Sequence, residues 1–434
     1  MLGGGVWVTQ NKKLPGSYIN FVSASRANLA LGERGFVAMP LILDWGIEGE
    51  VFTVTNADFQ KNSTKLFGYD YTDEKMKGLR DLFRNAKTLY AYRLGTGTKA
   101  SCSYGMAAHG GVRGNDLSIV ITALTTGFNV KTMLGTSMVD SQDVISATAK
   151  TNDLKNNDFI TWTADVDLSA GTTQLTGGAN GEITAEAYST FLDKIEPYSF
   201  NVIGCVGADE AAKALFVAFT KRMRDEQGIK FQCVLHEVDG DHEGIISVAN
   251  DILAESGFDK SSLVYWVSGA CAGCEISKSN TNKLYDGEFS VNVDYTQAQL
   301  EAFIDGGKFA FHRVGDAVRV LEDINTLKTL TDEKGEDFKS NQTIRVIDQA
   351  GNDIAAMFND KYIGVIPNDE SGRISLWNDI VKHHQELQRI RAIENFSSED
   401  VKVEAGETKK SVVVTDSITP TNCMSKLFMT IYVN

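Results

Sequence analysis

Apolar residues recur along this chain with two alternating periods, and the alternation sets the expected architecture. RGFVAMPLILDWGIEG, from Arg34 to Gly49, is an apolar run bounded by glycines and predicts a strand. From Glu74 to Lys87, Met76, Leu79, Leu82, Phe83 and Ala86 fall at helical spacing, and TLYAYRLG predicts the strand that follows. The rhythm returns later in the chain. Tyr188, Phe191, Leu192 and Ile195 mark a helix before the strand SFNVIGCVG. Ala212, Leu215, Phe216, Phe219 and Met223 mark a second helix before IKFQCVLHEV, and SSLVYWVSG reads as the next strand. Helices alternating with apolar strands predict an α/β fold, a sheet covered by helices.

Between Thr96 and Gly181 the texture changes to Thr, Ser, Gly, Asn and Asp, with short alternating runs such as DLSIVITAL, DFITWTADV and TTQLTGG between turn signals. This predicts an inserted all-β module at residues 96–181 within a central α/β domain of residues 23–95 and 182–330. Beyond Asp294 come a short helix around Leu300 and Phe303, then the strands KFAFHRVG and AVRVLEDI. The spacing of Ile344, Ile347, Ile354 and Phe358 predicts a helix over 341–362, and Leu376, Ile380, Leu387 and Ile390 another over 373–395. On the second helix Lys382, His383, Arg389 and Arg391 lie off the apolar line, and one ring of His383-His384 is expected to be packed and the other solvated. These helices and the strand EDVKVEAG make a C-terminal α/β region at 331–409.

Both ends read differently. Residues 1–22 hold little apolar content before the turn Pro15-Gly16 and the short strand Tyr18 to Val22, and so read as an arm that cannot fold alone. Residues 410–434 contain the β-branched run Val412, Val413 and Val414, a turn at TPTN, and then a strand pattern. Leu427, Met429, Ile431 and Val433 alternate with Phe428, Thr430 and Tyr432, so both faces are largely apolar. Such a strand is either zipped into its own sheet or offered to another chain.

Composition narrows the function. With 434 residues, 42% hydrophobic and 23% charged, the chain is an ordinary globular protein of several domains. A net charge of −15 argues against nucleic acid or an anionic membrane as a direct partner. No secretory signal precedes the first strand, and no apolar run approaches a membrane span, so synthesis in the cytoplasm is expected. The six cysteines lack the spacing of a disulfide framework.

Catalytic motifs are mostly missing. GTGTK at Gly95 to Lys99 and LTGGANG at Leu175 to Gly181 lack the elements of a phosphate loop. Cys271-Ala272-Gly273-Cys274 is a CxxC after a predicted strand, and Cys233, His236 and His242 are the candidates to complete a zinc site with it. The bland reading, structural cysteines, is the expectation, and His236 and His242 are too far apart for a zincin pair. The expectation is a structural protein: no catalytic residue, no cofactor and no metal.

Several stretches, taken in order, resemble the contractile tail sheath family of myophages and R-type bacteriocins, particularly its Gram-positive branch. They are LPGSYINF, GGVRGNDLSIVI, LTGGANG with its helix through EPYSFNVI, KRMRDEQGIKFQCVL, DKYIGVIPN and SVVVTDSITPTNCMSKLFMTIYVN, and together they span essentially the whole chain. The resemblance implies strand-exchanging arms that join neighbouring subunits through Tyr18, Ile19 and Phe21 at one end and Leu427, Phe428, Met429, Ile431, Tyr432 and Val433 at the other. It implies a homo-oligomer of stacked hexameric rings around an inner tail tube, with baseplate and terminator or collar proteins at its ends. The C-terminal region would face the tube, with Lys382, Arg389 and Arg391 as contact candidates. The subunit would be made in the host bacterial cytoplasm, without membrane insertion, and assembled in a phage tail or bacteriocin particle. Its function would be to contract from a metastable extended state and drive the tube through a target cell envelope. A non-contractile coat or surface-layer subunit, and a CxxC-containing α/β enzyme, are the alternatives.

Overall fold

A computed structural model describes residues 3–5, 16–18, 31–146 and 148–433, in two units that divide after Leu31. In the first unit Gly3–Gly5 pairs in parallel with Gly16–Tyr18. Ile19 and Phe21, and the rest of the expected strand to Val22, lie outside the described residues.

The second unit is built on a seven-stranded sheet. Its order is Lys308–Phe309, Ile245–Val248, Gln232–His236, Val202–Gly204, Phe36–Ile42, Thr88–Leu94, Val51–Thr55, and all neighbours are parallel except the last pair. Both faces are covered, because the apolar residues of each strand divide between two cores. Val37, Met39 and Leu41 enter one and Ala38 the other; Val202 and Val234 enter the first, Ile203, Cys233 and Leu235 the second. The first core is closed by α1 (Asn56–Phe67), α2 (Lys77–Phe83) and α5 (Leu263–Gly273). The second is closed by α3 (Ala185–Ile195) and α4 (Glu210–Lys221). The ends of α1 follow from its sequence: Thr55 and Asp58 form a capping box, and Gly68 takes the left-handed conformation that ends the helix.

One element was mis-assigned by its pattern. SSLVYWVSG is not a strand but most of α5, which is buried along almost its whole length between the sheet and α2. A helix apolar on every side shows no 3.6-residue stripe, and its Val, Tyr and Trp imitate a buried strand. Gly269 permits the crossing, since a Cβ there would meet the Leu82 carbonyl of α2.

Between Leu94 and α3, residues 117–174 form a separate antiparallel sheet, ordered Gly171–Gln174, Leu117–Ala123, Phe128–Leu134, Ser137–Val144. A third apolar cluster, including Ile119, Ile121, Val130 and Ile160, lies with it and takes in Trp45 from the loop after Phe36–Ile42. Past α6 (Gln297–Asp305) and the hairpin Phe311–Val314/Ala317–Val320, the chain enters two long helices, α7 (Asn341–Lys361) and α8 (Glu370–Arg389). α8 starts earlier than its apolar line suggested, at the N-cap Asp369, whose carboxylate accepts from the Gly372 amide at 2.7 Å. It also stops earlier, at Arg389, and Arg391 beyond it has φ +62.

The first half of α7 is buried although much of it is polar: Asn341, Gln342, Thr343, Arg345, Asp348 and Gln349 are all inside. Arg345 pairs with Asp323 at 2.6 Å, and Arg224, in the π turn that ends α4, holds Asp348 with two bonds of 2.6 and 2.8 Å. Burial pushes the Asp323 carboxyl up, but Arg345, the Asn280 amide and Asn341 outweigh it and hold the group below its ordinary value. Its contribution is therefore present above the unfolded value near pH 3.9 and is lost as pH falls through the lower folded value. Asp323→Ala leaves the buried Arg345 cation unpaired and is expected to lower stability by about 3–5 kcal/mol. Loss of the exposed Lys65–Asp158 pair (2.8 Å) should cost under about 1 kcal/mol. Denaturant unfolding of the two variants at neutral pH tests the contrast, and equal small losses would refute it.

Candidate assembly surface

The C-terminal tail is anchored and then released. Ile393 and Glu394 pair with Pro420 and Thr419, and the Thr421 amide donates to the Ala392 carbonyl at 2.9 Å. The Gln342 side chain on the first turn of α7 donates to the Thr421 carbonyl and accepts from the Cys423 amide, both at 3.0 Å, and Asn422 meets Ser340 and Thr343. After Cys423 the grip ends. Residues 421–433 have no regular structure, and Leu427, Phe428, Met429, Ile431, Tyr432 and Val433 are 70 to 93% exposed. The alternative in which this strand zips into its own sheet is thus not what the subunit adopts. A strand-forming segment needs an edge to bond, and among the described residues none pairs with it.

Next to the anchor lies a second unfinished element. Val401–Ala405 and Val412–Asp416 form an antiparallel pair that among the described residues belongs to no larger sheet, with Val413 and Val414 exposed. A pair this small depends on what it packs against, here α8, whose Trp377 Nε1 donates to the Val401 carbonyl at 2.9 Å. Its outer edges remain unpaired among the described residues.

Of the basic candidates, Lys382 and Arg389 are exposed and two helical turns apart on α8, so they share a face. Arg389 is clamped by Glu386 through bonds of 2.7 and 2.5 Å, and Arg391 sits past the helix end rather than on it. His383 is not part of this face. Neither histidine is solvated: both rings are buried, with Asp353 on one side and Asp416 on the other. An apolar periodicity assigns polar residues to solvent, and cannot see carboxylates arriving from other elements.

The residues weighed for chemistry from the sequence are mostly buried. Cys271 lies on α5 and Cys274 caps its end; both are buried, and burial raises both thiols, which opposes the thiolate that metal binding or redox exchange requires. The helix end is held by Arg34, which donates to the Cys271 and Cys274 carbonyls at 3.2 Å each. Among the described residues the groups able to hold a metal are His236 with Glu237 and Asp251, and His242 with Asp225 and Glu243, and no cysteine joins either. His242 Nδ1 accepts from the Gly244 amide, so Nε2 carries its proton toward Asp225, and Lys334 already neutralises Glu243. In the other group Lys260 stands 3.4 Å from Glu237 and 3.9 Å from Asp251, in the place of a cation. The two glycine-rich stretches bond each other rather than a phosphate. Thr98 pairs with Ala179 and Ser101 with Thr176, and a Cβ on Gly97 would lie 2.6 Å from the Gly111 nitrogen.

Profiles of the phage tail sheath protein central domain, the phage tail sheath C-terminal domain and the tail sheath protein Gp18 domain III N-terminal region match residues 181–326, 333–434 and 34–94. The phage-like element PBSX protein XkdK of Bacillus subtilis is 31% identical over 475 residues, covering 100% of each chain. The crystal structure of the sheath tail protein of Desulfitobacterium hafniense is 34% identical with a TM-score of 0.81, over 93% of this chain and 96% of that one. The anti-feeding prophage helical sheath in its contracted state shares the fold at 12% identity and a TM-score of 0.58, over 98% of this chain and 100% of that one. The chain belongs to the phage tail sheath family.

Proposed function

We propose that the protein polymerises as stacked hexameric rings around an inner tail tube and contracts from a metastable extended state to drive that tube through a target cell envelope. The observation that carries the reading is the tail: anchored through residues 419–423, then apolar, exposed and in no strand up to Val433 among the described residues. Its occupant is an unfinished sheet edge on a second copy of the chain. An arm of this length makes roughly four backbone hydrogen bonds at about 1 kcal/mol net each, plus buried apolar area. Such links survive rotation of the folded bodies because the arm, and not a rigid face, joins them. The arm at Tyr18, Ile19 and Phe21 is its counterpart. Baseplate and terminator or collar proteins would bound the polymer, and release of the first ring would propagate because each arm carries its neighbour's rotation.

Contact with the tube must be weak enough to release, which suits exposed ion pairs of about 0–1 kcal/mol each. Lys382, Arg389 and Arg391 are the proposed contacts to an acidic tube surface, with Arg389 exchanging Glu386 for a tube carboxylate.

Two experiments test this. Removing residues 426–434 is expected to leave a folded, soluble monomer that forms no tubes by electron microscopy, and normal polymerisation would refute the arm. Full-length protein that forms static tubes of one length would instead favour a non-contractile coat. Reversing Lys382 and Arg389 to Glu is expected to weaken co-assembly with the purified tube protein by about 3- to 30-fold, with a reduced salt dependence, given about 0–1 kcal/mol lost per pair and like-charge repulsion besides. Unchanged co-assembly excludes these residues from the contact.

A further inference from the structure

Four side chains form an unbroken row through the interior between α7, α8 and the Val401–Ala405/Val412–Asp416 pair. Asp353 Oδ2 lies 3.0 Å from His383 Nε2, His383 Nδ1 lies 3.1 Å from His384 Nδ1, and His384 Nε2 lies 2.6 Å from Asp416 Oδ2. Both rings are buried, 1% and 0% exposed. The groups facing them are Asp353 from α7, Asp416 from the strand pair and the Phe396 ring, edge-on to His384, from the segment after α8. On α8 itself Lys382 is exposed and Arg389 is paired with Glu386.

The two ends of the row differ. Asp353 also accepts from the Gly32 amide at 3.1 Å and from Gln349 Nε2 at 2.7 Å. Asp416 is a quarter exposed, at the end of the strand that leads to the tail anchor.

Counting hydrogens decides what the row holds. Three links each need one hydrogen; two neutral imidazoles bring one apiece, and two carboxylates bring none. The row is therefore one proton short unless it binds an extra one. We propose that His383 and His384 form a proton-binding site, an imidazole–imidazolium pair sharing one proton between its Nδ1 atoms. That proton completes a connection from Gly32, where the second unit begins, to Asp416, at the root of the C-terminal tail.

Without the proton one link fails, because two bare nitrogens, or a bare nitrogen and a carboxylate, repel at these distances. Asp416 gives way first, since it reaches water while Asp353 keeps two other donors. The proton has a site only where the folded chain lines up the four groups, so holding it and holding the strand pair against α8 are linked. The consequence for assembly, that this proton sets how firmly the tail root is held, rests on the arm reading above.

The experiment uses the isolated full-length subunit. Nitrogen-15 spectra of the side chains should show three of the four ring nitrogens protonated. Asp416→Asn supplies the missing hydrogen from its own amide, so both rings can be neutral; this variant should keep its fold, show two protonated ring nitrogens and protect the Val412–Asp416 amides from exchange as the unaltered protein does. Two neutral rings in the unaltered protein, or three protonated ring nitrogens in Asp416→Asn, would overturn the site. If the proton count is as stated while removal of residues 426–434 leaves tube formation intact, the proton site stands and the arm reading fails.

Discussion

Charge buried along α7 is what the C-terminal third of the protein depends on. Arg345 with Asp323 and Arg224 with Asp348 bring this helix against the α/β body through groups that tolerate only one arrangement. Apolar surfaces can slide by an ångström and repack; a two-bonded guanidinium–carboxylate contact in a low-dielectric interior cannot. What the pairs supply beyond stability is a single registration of α7, and everything after residue 340 inherits it.

Both ends of the described second unit lead to this helix. Gln342, Thr343 and the capping Ser340 grip the start of the tail, while Gln349 and Asp353, about two and three turns further on, bond the backbone at Gly32. Through His383 and His384 the same helix also reaches the strand pair. The root of the tail and the backbone at Gly32 are thus held at a fixed separation by α7, which is buried over half its length.

How far this was legible in the sequence depends on how far apart the partners lie. Five of the seven strands of the central sheet, all but Val51–Thr55 and Ile245–Val248, and the helices α3 and α4 announce themselves through residues two to four positions apart. The strand pattern of the tail was equally plain, but periodicity left open whether it is zipped into its own sheet or offered to another chain, because an apolar edge does not name its partner. α5 was misread because burial on all sides erases the stripe that distinguishes helix from strand. The polar half of α7 was invisible: Arg345 finds Asp323 at 22 residues' separation and Arg224 finds Asp348 at 124. The histidines failed for the same reason, their carboxylates lying 30 and 32 residues away. Periodicity reports which side of an element is wet by default, and these buried pairs are the exceptions that the default hides.

The glycine-rich crossing between Gly95–Lys99 and Leu175–Gly181 has a consequence for how such proteins diversify. The chain leaves the central sheet at Leu94 and comes back beside its point of departure, with the Glu182 carbonyl against Gly95. None of the seven strands of that sheet comes from the excursion, and two of the family profiles stop on either side of it. Whatever the loop between those two points encodes can be lengthened, shortened or exchanged at the cost of a single turn. The inserted sheet can thus change at its own pace while the central sheet stays put.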